Sequence, residues 1–383
     1  MKRLLYPGQL VTGEDALSVL GTLQGKKAVI TTGSSSMKKQ GFLDQVTELL
    51  EGAGMEVAVF SGIESDPTVQ TVAKGAKFLQ DEEPDWLIAL GGGSTIDATK
   101  AMWVFYEDPE AKYETLRTNF PVLRKKARFV AIPSTSGTGS EVTYFAVITN
   151  PEKHIKFPVA HPQLMPDIAI LDPALVKNLP PSQIANTGMD AMTHAVEAYV
   201  SILNIPFADA YAAEAIKMIS DNIVASYNGD LKAREQMHYA QNMAGIAFNN
   251  ALLGMVHAMA HSIGTIFAKH VPHGLGNAMY LPVSIRYNGA DEGVAARYAK
   301  LARMLDIPGD TDAELVEGFA VHIEGLNKEL GIPATLSEYG IGKEEFEQNL
   351  ETISNNALND VNLRTNPRKI ELEKMKELMS SIY

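Results

Sequence analysis

Short apolar runs alternate with amphipathic stretches over the first part of the chain. Residues 28–32 (AVITT) read as a buried strand, and so do 56–60, 86–90 and 128–133. Between them, 42–51 and 69–80 carry apolar residues at helical spacing. Strands separated by helices in this rhythm pair in parallel through right-handed crossovers. A sheet of that kind binds its ligands beyond the carboxyl ends of the strands. The texture changes after Asp172-Pro173, and from Pro180-Pro181 onward the pattern is helical with few β-branched runs. Helices are predicted over 182–201, 207–228, 232–269, 311–330 and 343–354. The expected fold is an α/β domain with a parallel sheet at 1–175, followed by an all-α domain at 176–383.

Composition agrees with two domains, because 383 residues exceed what one hydrophobic core usually serves. A formal charge of −13 argues against a nucleic-acid partner, since so acidic a chain repels phosphate unless it carries a separate basic patch. The densest basic run, Arg124-Lys125-Lys126-Ala127-Arg128, is short and reads as a solvated turn before a strand. There is no cysteine, so thiolate chemistry is excluded and any metal must be held by oxygen and nitrogen. Absence of cysteine also fits a reducing compartment. The first residues lack the apolar stretch of a signal peptide, and no run approaches the roughly 18 apolar residues of a membrane span. A cytoplasmic chain with no membrane partner is expected.

The helical half concentrates metal-binding side chains. Asp190 and His194 are four residues apart and project from one face of a predicted helix. His257 and His261 repeat that spacing in an almost wholly apolar stretch, and His273 follows between Pro272 and Gly274. An uncompensated carboxylate or imidazolium in such surroundings is costly, and a shared cation removes the cost for several groups at once. Three imidazoles and one carboxylate suit Fe²⁺ or Zn²⁺ better than Mg²⁺ or Ca²⁺. An open coordination position would let the ion polarise a substrate oxygen. His261 is open to two roles, a fifth ligand or a proton carrier between substrate and water, and the second is preferred here. His270 competes with His273 for the last ligand position; the flanking proline and glycine predict a tight turn that favours His273. Glu197, one turn beyond His194, reads either as its orienting partner or as an ordinary helix residue, and the second is preferred.

Two loops in the first half offer donors for phosphate. Gly91-Gly92-Gly93-Ser94-Thr95-Ile96-Asp97 follows a buried strand and opens a helix, where backbone amides approach an anion closely. Pro133-Ser134-Thr135-Ser136-Gly137-Thr138-Gly139-Ser140-Glu141 follows the next strand with glycines and hydroxyls, and no Gly-Lys-Ser/Thr makes it a P-loop. Two such loops suit an extended dinucleotide better than a single phosphate. They also weigh against a metal-dependent hydrolase, which needs neither.

Taken together, Gly91-Gly92-Gly93-Ser94-x-x-Asp97-x-x-Lys100, Thr135-x-Gly137-Thr138-Gly139-Ser140-Glu141, Gly188-x-Asp190-Ala191-x-x-His194-x-x-Glu197 and His257-x-x-x-His261 with Pro272-His273-Gly274 closely resemble the iron-dependent (group III) alcohol dehydrogenase family. The likeness runs from about residue 10 to 370. The stretch Ala101-Met102-Trp103-Val104-Phe105-Tyr106-Glu107 is similar to the alcohol dehydrogenase half of bifunctional aldehyde–alcohol dehydrogenases, and that half is expected to stand alone here. The resemblance implies a Rossmann-like domain, a helical domain of dehydroquinate synthase-like architecture, and an active cleft between them. It implies Asp190, His194, His257 and His273 as ligands of Fe²⁺, with Zn²⁺ possible. It places Gly92, Gly93, Ser94, Asp97, Thr135 and Thr138 at the cofactor, and Lys156 near the nicotinamide ribose. It further implies a small primary alcohol or aldehyde as substrate, a glycerol or diol dehydrogenase as the alternative, and a homodimer or higher homo-oligomer.

Two features depart from the family pattern. The interval from His257 to His273 is longer than usual. The first strand also lacks the following carboxylate that would pair with the ribose 2′-hydroxyl of NAD(H). Here the stretch is Thr31-Thr32-Gly33-Ser34-Ser35-Ser36-Met37-Lys38-Lys39, with Gly33 and Ser34 expected at the cofactor. Hydroxyls and lysines in that place favour NADP(H) over NAD(H).

Overall fold

The computed structural model describes residues 3–33, 35–152, 155–264 and 266–383. Contacts divide the chain into two compact units, Leu5–Asn178 and Leu179–Tyr383, the latter joined by the N-terminal residues up to Leu4.

The first unit contains strands β1 (Gln9–Thr12), β2 (Lys27–Gly33), β3 (Glu56–Ile63), β4 (Trp86–Gly91), β5 (Arg128–Pro133), β6 (Phe145–Asn150), β7 (Ile155–Ala160) and β8 (Ile168–Leu171). Its helices are α1 (Ser36–Lys39), α2 (Phe42–Gly52), α3 (Val69–Glu82) and α4 (Gly93–Glu107). Six strands form one parallel sheet in the order β1-β8-β5-β4-β2-β3. Both faces of this sheet are covered. Val29, Leu87, Ala89, Phe129 and Ala131 pack against residues of α3 and α4 such as Val72, Leu79, Ile96 and Trp103. Ala28, Ile30, Trp86, Ile88 and Val130 pack against Leu43, Val46 and Leu50 of α2. Burial on both sides is why β2 and β4 read as unbroken apolar runs rather than alternating ones.

Strand order decides where a ligand can enter. From β2 the chain moves to β3 on one side of the sheet, whereas β4 lies on the other side of β2. The crevice at such a reversal opens outside the carboxyl ends of the strands. β2 leaves the sheet there through a register shift between Thr31 and Gly33. At the same edge Gly91 of β4 pairs with Pro133 of β5, so both glycine- and hydroxyl-rich loops start side by side.

β6 and β7 form a separate antiparallel hairpin that the sequence pattern did not predict. It is held to α4: the Val147 N–H donates to Asp97 at 2.9 Å, and the Lys100 ammonium donates to the Phe145 carbonyl at 2.9 Å.

Among its described residues the second unit holds helices and connecting segments and no strand. Its elements are α5 (Pro181–Val200), α6 (Pro206–Tyr227), α7 (Leu231–Ala251), α8 (Met255–Ile263), α9 (His273–Asn288), α10 (Glu292–Met304), α11 (Asp312–Glu329), α12 (Leu336–Tyr339), α13 (Lys343–Asn359) and α14 (Leu372–Ser380). Prolines open α5 and α6 at the first turn, where a missing N–H costs nothing. A capping box of Thr311 and Glu314 opens α11.

One expected helix is corrected. Residues 232–269 do not form a single helix: α7 ends where Leu252 adopts a left-handed φ of 61°, and α8 departs at 104° to it. Apolar spacing continues through the break, so periodicity could not reveal it. What stabilises the break is remote in sequence. The first N–H groups of α8, at Met255 and Val256, donate to the side chains of Asn366 and Glu197 at 3.3 and 2.6 Å. Among the described residues no single helix is long and apolar enough to cross a membrane; α7 and α8 meet that measure only as this bent pair.

Candidate active site

Asp190 and His194 lie on one face of α5, as their spacing requires, and both are buried. The turn between α7 and α8 brings buried His257 to the same place. The ligand atoms of these three residues lie within 4.8 Å of one another. His273 completes the group as the first residue of α9, with Pro272 as its cap, rather than in the tight turn predicted for it. Gly274 makes that position reachable, because a Cβ there would meet the Asn186 carbonyl oxygen of α5 at 2.0 Å.

Four ligand atoms converge on one point. Oδ1 of Asp190 is 3.7 Å from Nε2 of His194, 3.6 Å from Nε2 of His257 and 3.4 Å from Nε2 of His273. Atoms bound to one ion at about 2.1 Å each lie roughly 3.0–3.5 Å from one another, and the three distances to Oδ1 lie at or just above that range. The donor chemistry, one carboxylate and three imidazoles, fits a divalent transition metal. His273 is 41% exposed whereas the side chains of Asp190, His194 and His257 are at most 6% exposed, so the cluster opens on the His273 side. Burial works to raise the Asp190 pKa, but the facing imidazoles of His194, His273 and His257 outweigh it and hold the carboxyl below the usual carboxylate range. Burial works to lower the His257 pKa, and its bonds with Asp190 and Glu197 reverse this, raising it to about 9. Asp190 and Glu197 thus place two buried carboxylates against the imidazole of His257.

Three neighbours were missed or misplaced by sequence reasoning. Glu197 contacts His257, not His194: its carboxylate lies 2.6 Å from Nδ1 of His257. Asn277 donates its side-chain amide to Oδ1 of Asp190 at 2.7 Å. It sits one turn after His273 on α9, the same spacing that flagged Asp190 and His194. Asp360 lies 2.9 Å from Nδ1 of His261, across 99 residues of sequence, and no local signal points to it. His261 itself is 45% exposed, and its ring stacks on that of His273 with centroids 5.1 Å apart. His270, the competitor for the last ligand position, is exposed, and it is its carbonyl that accepts a bond, from the Tyr339 hydroxyl.

The residues expected at the cofactor lie in the other unit. Gly33, Gly92, Gly93, Thr135 and Thr138 stand at the carboxyl edge of the sheet, at the ends of β2, β4 and β5. The two loops touch: a Cβ on Gly92 would lie 3.3 Å from Thr135, and one on Gly93 would lie 2.7 Å from Thr138. Glycine at these positions is therefore what allows the loops to nest. Ser94 follows in the first turn of α4, whose N-terminus has no side-chain cap. Ser34 lies outside the described residues. Asp97 is half-buried and accepts from the Val147 N–H and from the Ser140 side chain, which ties the second loop to α4. The Lys156 ammonium, on β7, pairs with Asp66 at 2.8 Å.

A residue outside the expected set governs the second loop. Lys100 of α4 is fully buried and donates to the carbonyls of Ser140, Thr143 and Phe145 at 2.6, 2.6 and 2.9 Å. Burial lowers its pKa to about 8, against the charges of Asp97 and Glu141.

Comparison with known proteins bears on both units. The family model of iron-containing alcohol dehydrogenases matches residues 7–173, and the C-terminal model of the Fe-containing alcohol dehydrogenase family matches residues 184–383. The chain is 48% identical over 385 residues to the NADPH-dependent butanol dehydrogenase of Clostridium saccharobutylicum, covering 100% of this chain and 98% of that one. It is 41% identical over 386 residues to the bifunctional aldehyde-alcohol dehydrogenase of Escherichia coli (strain K12), covering 94% of this chain but 43% of that protein. Among solved structures, the iron-containing alcohol dehydrogenase of Thermococcus thioreducens matches with a TM-score of 0.90 and 37% identity, covering 100% of this chain and 99% of the other.

Proposed function

The chain belongs to the iron-containing alcohol dehydrogenase family, and from that premise we propose that it interconverts small to medium primary alcohols and their aldehydes with NADP(H) as hydride carrier. The observation that carries the proposal is the convergence of Asp190 Oδ1 with the Nε2 atoms of three histidines. Asp190, His194, His257 and His273 would hold Fe²⁺, with Zn²⁺ compatible with the same donors. When bound, the ion supplies a Lewis acid for the substrate oxygen, and the nicotinamide supplies or accepts the hydride.

The chain's own residues do the rest. The exposed edge of His273 leaves one side of the cluster open to a small substrate. Asp360 occupies Nδ1 of His261, so Nε2 is the nitrogen free to exchange a proton with the alcohol oxygen or water. The half-exposed ring gives that proton a way out to solvent. In the first unit, the uncapped N-terminus of α4 and the nested Gly92–Thr135 and Gly93–Thr138 loops offer donors to a diphosphate. Preference for the 2′-phosphate rests on the missing carboxylate after β2 and on exposed Lys38 and Lys39, and the relative named as NADPH-dependent supports it. The reading extends to a cytoplasmic homo-oligomer, which absence of cysteine and the family resemblance support.

Elemental analysis of anaerobically purified protein, followed by butanal reduction with NADPH and NADH, tests the proposal. Bound iron, loss of turnover on chelation and a higher kcat/KM with NADPH are expected. Full activity after chelation would overturn the metal role, and a clear NADH preference would overturn the cofactor assignment.

The proton path has its own test. His261→Gln is expected to lower kcat by about 10²-fold with metal content unchanged. Asp360→Asn should lower it less, because the imidazole remains in place. Metal loss in step with activity in His261→Gln would make His261 a ligand instead.

A further inference from the structure

Glu197 is a buried carboxylate that the proposed chemistry does not use. It lies on α5, 5% exposed, and its two oxygens reach different parts of α8. Oε1 accepts the Val256 N–H at 2.6 Å, in place of the side-chain cap that Gly254 cannot provide. Oε2 lies 2.6 Å from Nδ1 of His257. The carboxylate thus engages Nδ1, and Nε2, 3.6 Å from Oδ1 of Asp190, is the nitrogen that would be offered to an ion.

A second feature shows that the approach is built into the fold. A Cβ on Gly254 would lie 2.9 Å from Oε1 of Glu197 and 3.1 Å from Oδ1 of Asn366. The φ of Gly254 is −146°, open to any residue, so the requirement for glycine there is one of space for these two side chains.

We propose that Glu197 is a positioning residue for His257: it fixes the Nδ1–H tautomer, aims Nε2 at the ion and strengthens that nitrogen as a donor. This rests on the reading of the cluster as a metal site. Carboxylate partners of ligating histidines typically change metal affinity by about 10–100-fold. Glu197 also caps α8, so the test must separate a loosened helix start from a weakened ligand. Asn366 supplies the separation, because it caps the adjacent Met255 N–H and its other side-chain bonds go to Asn288 and Arg368.

The experiment uses the full chain, stripped and titrated with Co²⁺ against a competing chelator, with the visible cobalt spectrum and the melting temperature recorded in parallel. Wild type is expected to take up one Co²⁺ per chain. Glu197→Gln, which keeps size but loses the charge, should bind about 10–100-fold more weakly with an altered spectrum. Asn366→Ala should melt earlier yet bind Co²⁺ like wild type. The proposal is overturned if Glu197→Gln matches wild-type affinity, or if Asn366→Ala weakens binding as much as Glu197→Gln does. A wild type that takes up no Co²⁺ would overturn the metal reading itself, and this inference with it.

Discussion

Replacing Asp190 by alanine is expected to abolish both metal retention and turnover. Asp190 is the one anionic member of the four-residue set, and its Oδ1 is the atom toward which the three imidazoles converge. Without it, three neutral nitrogens must hold a doubly charged ion in a pocket where little solvent can compensate. Outer partners of metal ligands are worth about 10–100-fold in affinity or activity, so loss of the charged ligand should cost about 10³-fold or more in kcat/KM. Asn277 then loses its carboxylate acceptor and keeps only the Nε2 atoms of His257 and His273, at 3.3 and 3.1 Å, as partners for its amide. Elemental analysis and butanal reduction read the two effects, and circular dichroism checks that the helices remain. A variant that retains iron and activity would show that Asp190 is not a ligand.

Lys100→Met should produce the largest loss of stability. Methionine nearly matches the length of the lysine stem but removes all three protons that Ser140, Thr143 and Phe145 accept. Even with its pKa lowered to about 8, the ammonium is largely protonated at neutral pH, as three carbonyl acceptors require. Its removal also leaves half-buried Asp97 and buried Glu141 without the facing cation. Removing one partner of a buried charge set costs about 3–5 kcal/mol. For a unit of this size that corresponds to a fall of roughly 10 °C in melting temperature. Because Lys100 anchors the segment just after Thr138, KM for NADPH should rise while metal content stays unchanged. If the melting temperature and that KM both stay at wild-type values, the clamp has no role.

These two residues differ in how far they could be read in advance. Asp190 announced itself, because a carboxylate and an imidazole four residues apart on an apolar helix need a common partner. Lys100 stood in the motif Gly91-Gly92-Gly93-Ser94-x-x-Asp97-x-x-Lys100, yet nothing local says that its ammonium ends among three carbonyls of a later loop. The four-residue strands β1 and β8 were missed because such short runs carry too little periodicity. Helix α9 was missed because Pro282 lies inside it and nearly all of it is buried.

What the sequence determined alone is what local spacing encodes. Apolar runs bounded by glycines placed β2, β4 and β5 with the loops at their ends, and four-residue spacing placed Asp190 with His194 and His257 with His261. The parallel sheet was expected from the strand–helix–strand rhythm, and that rhythm is set by neighbours along the chain. Tertiary structure decided what depends on the direction in which remote elements meet. It broke the expected 232–269 helix at Leu252 and turned α8 so that His257 faces Asp190 while His261 faces Asp360. It also gave Glu197 to His257 instead of His194. Those outcomes rest on long-range hydrogen bonds to the first turn of α8, whose partners Glu197 and Asn366 lie 59 and 111 residues away, and no periodicity in the chain carries that information.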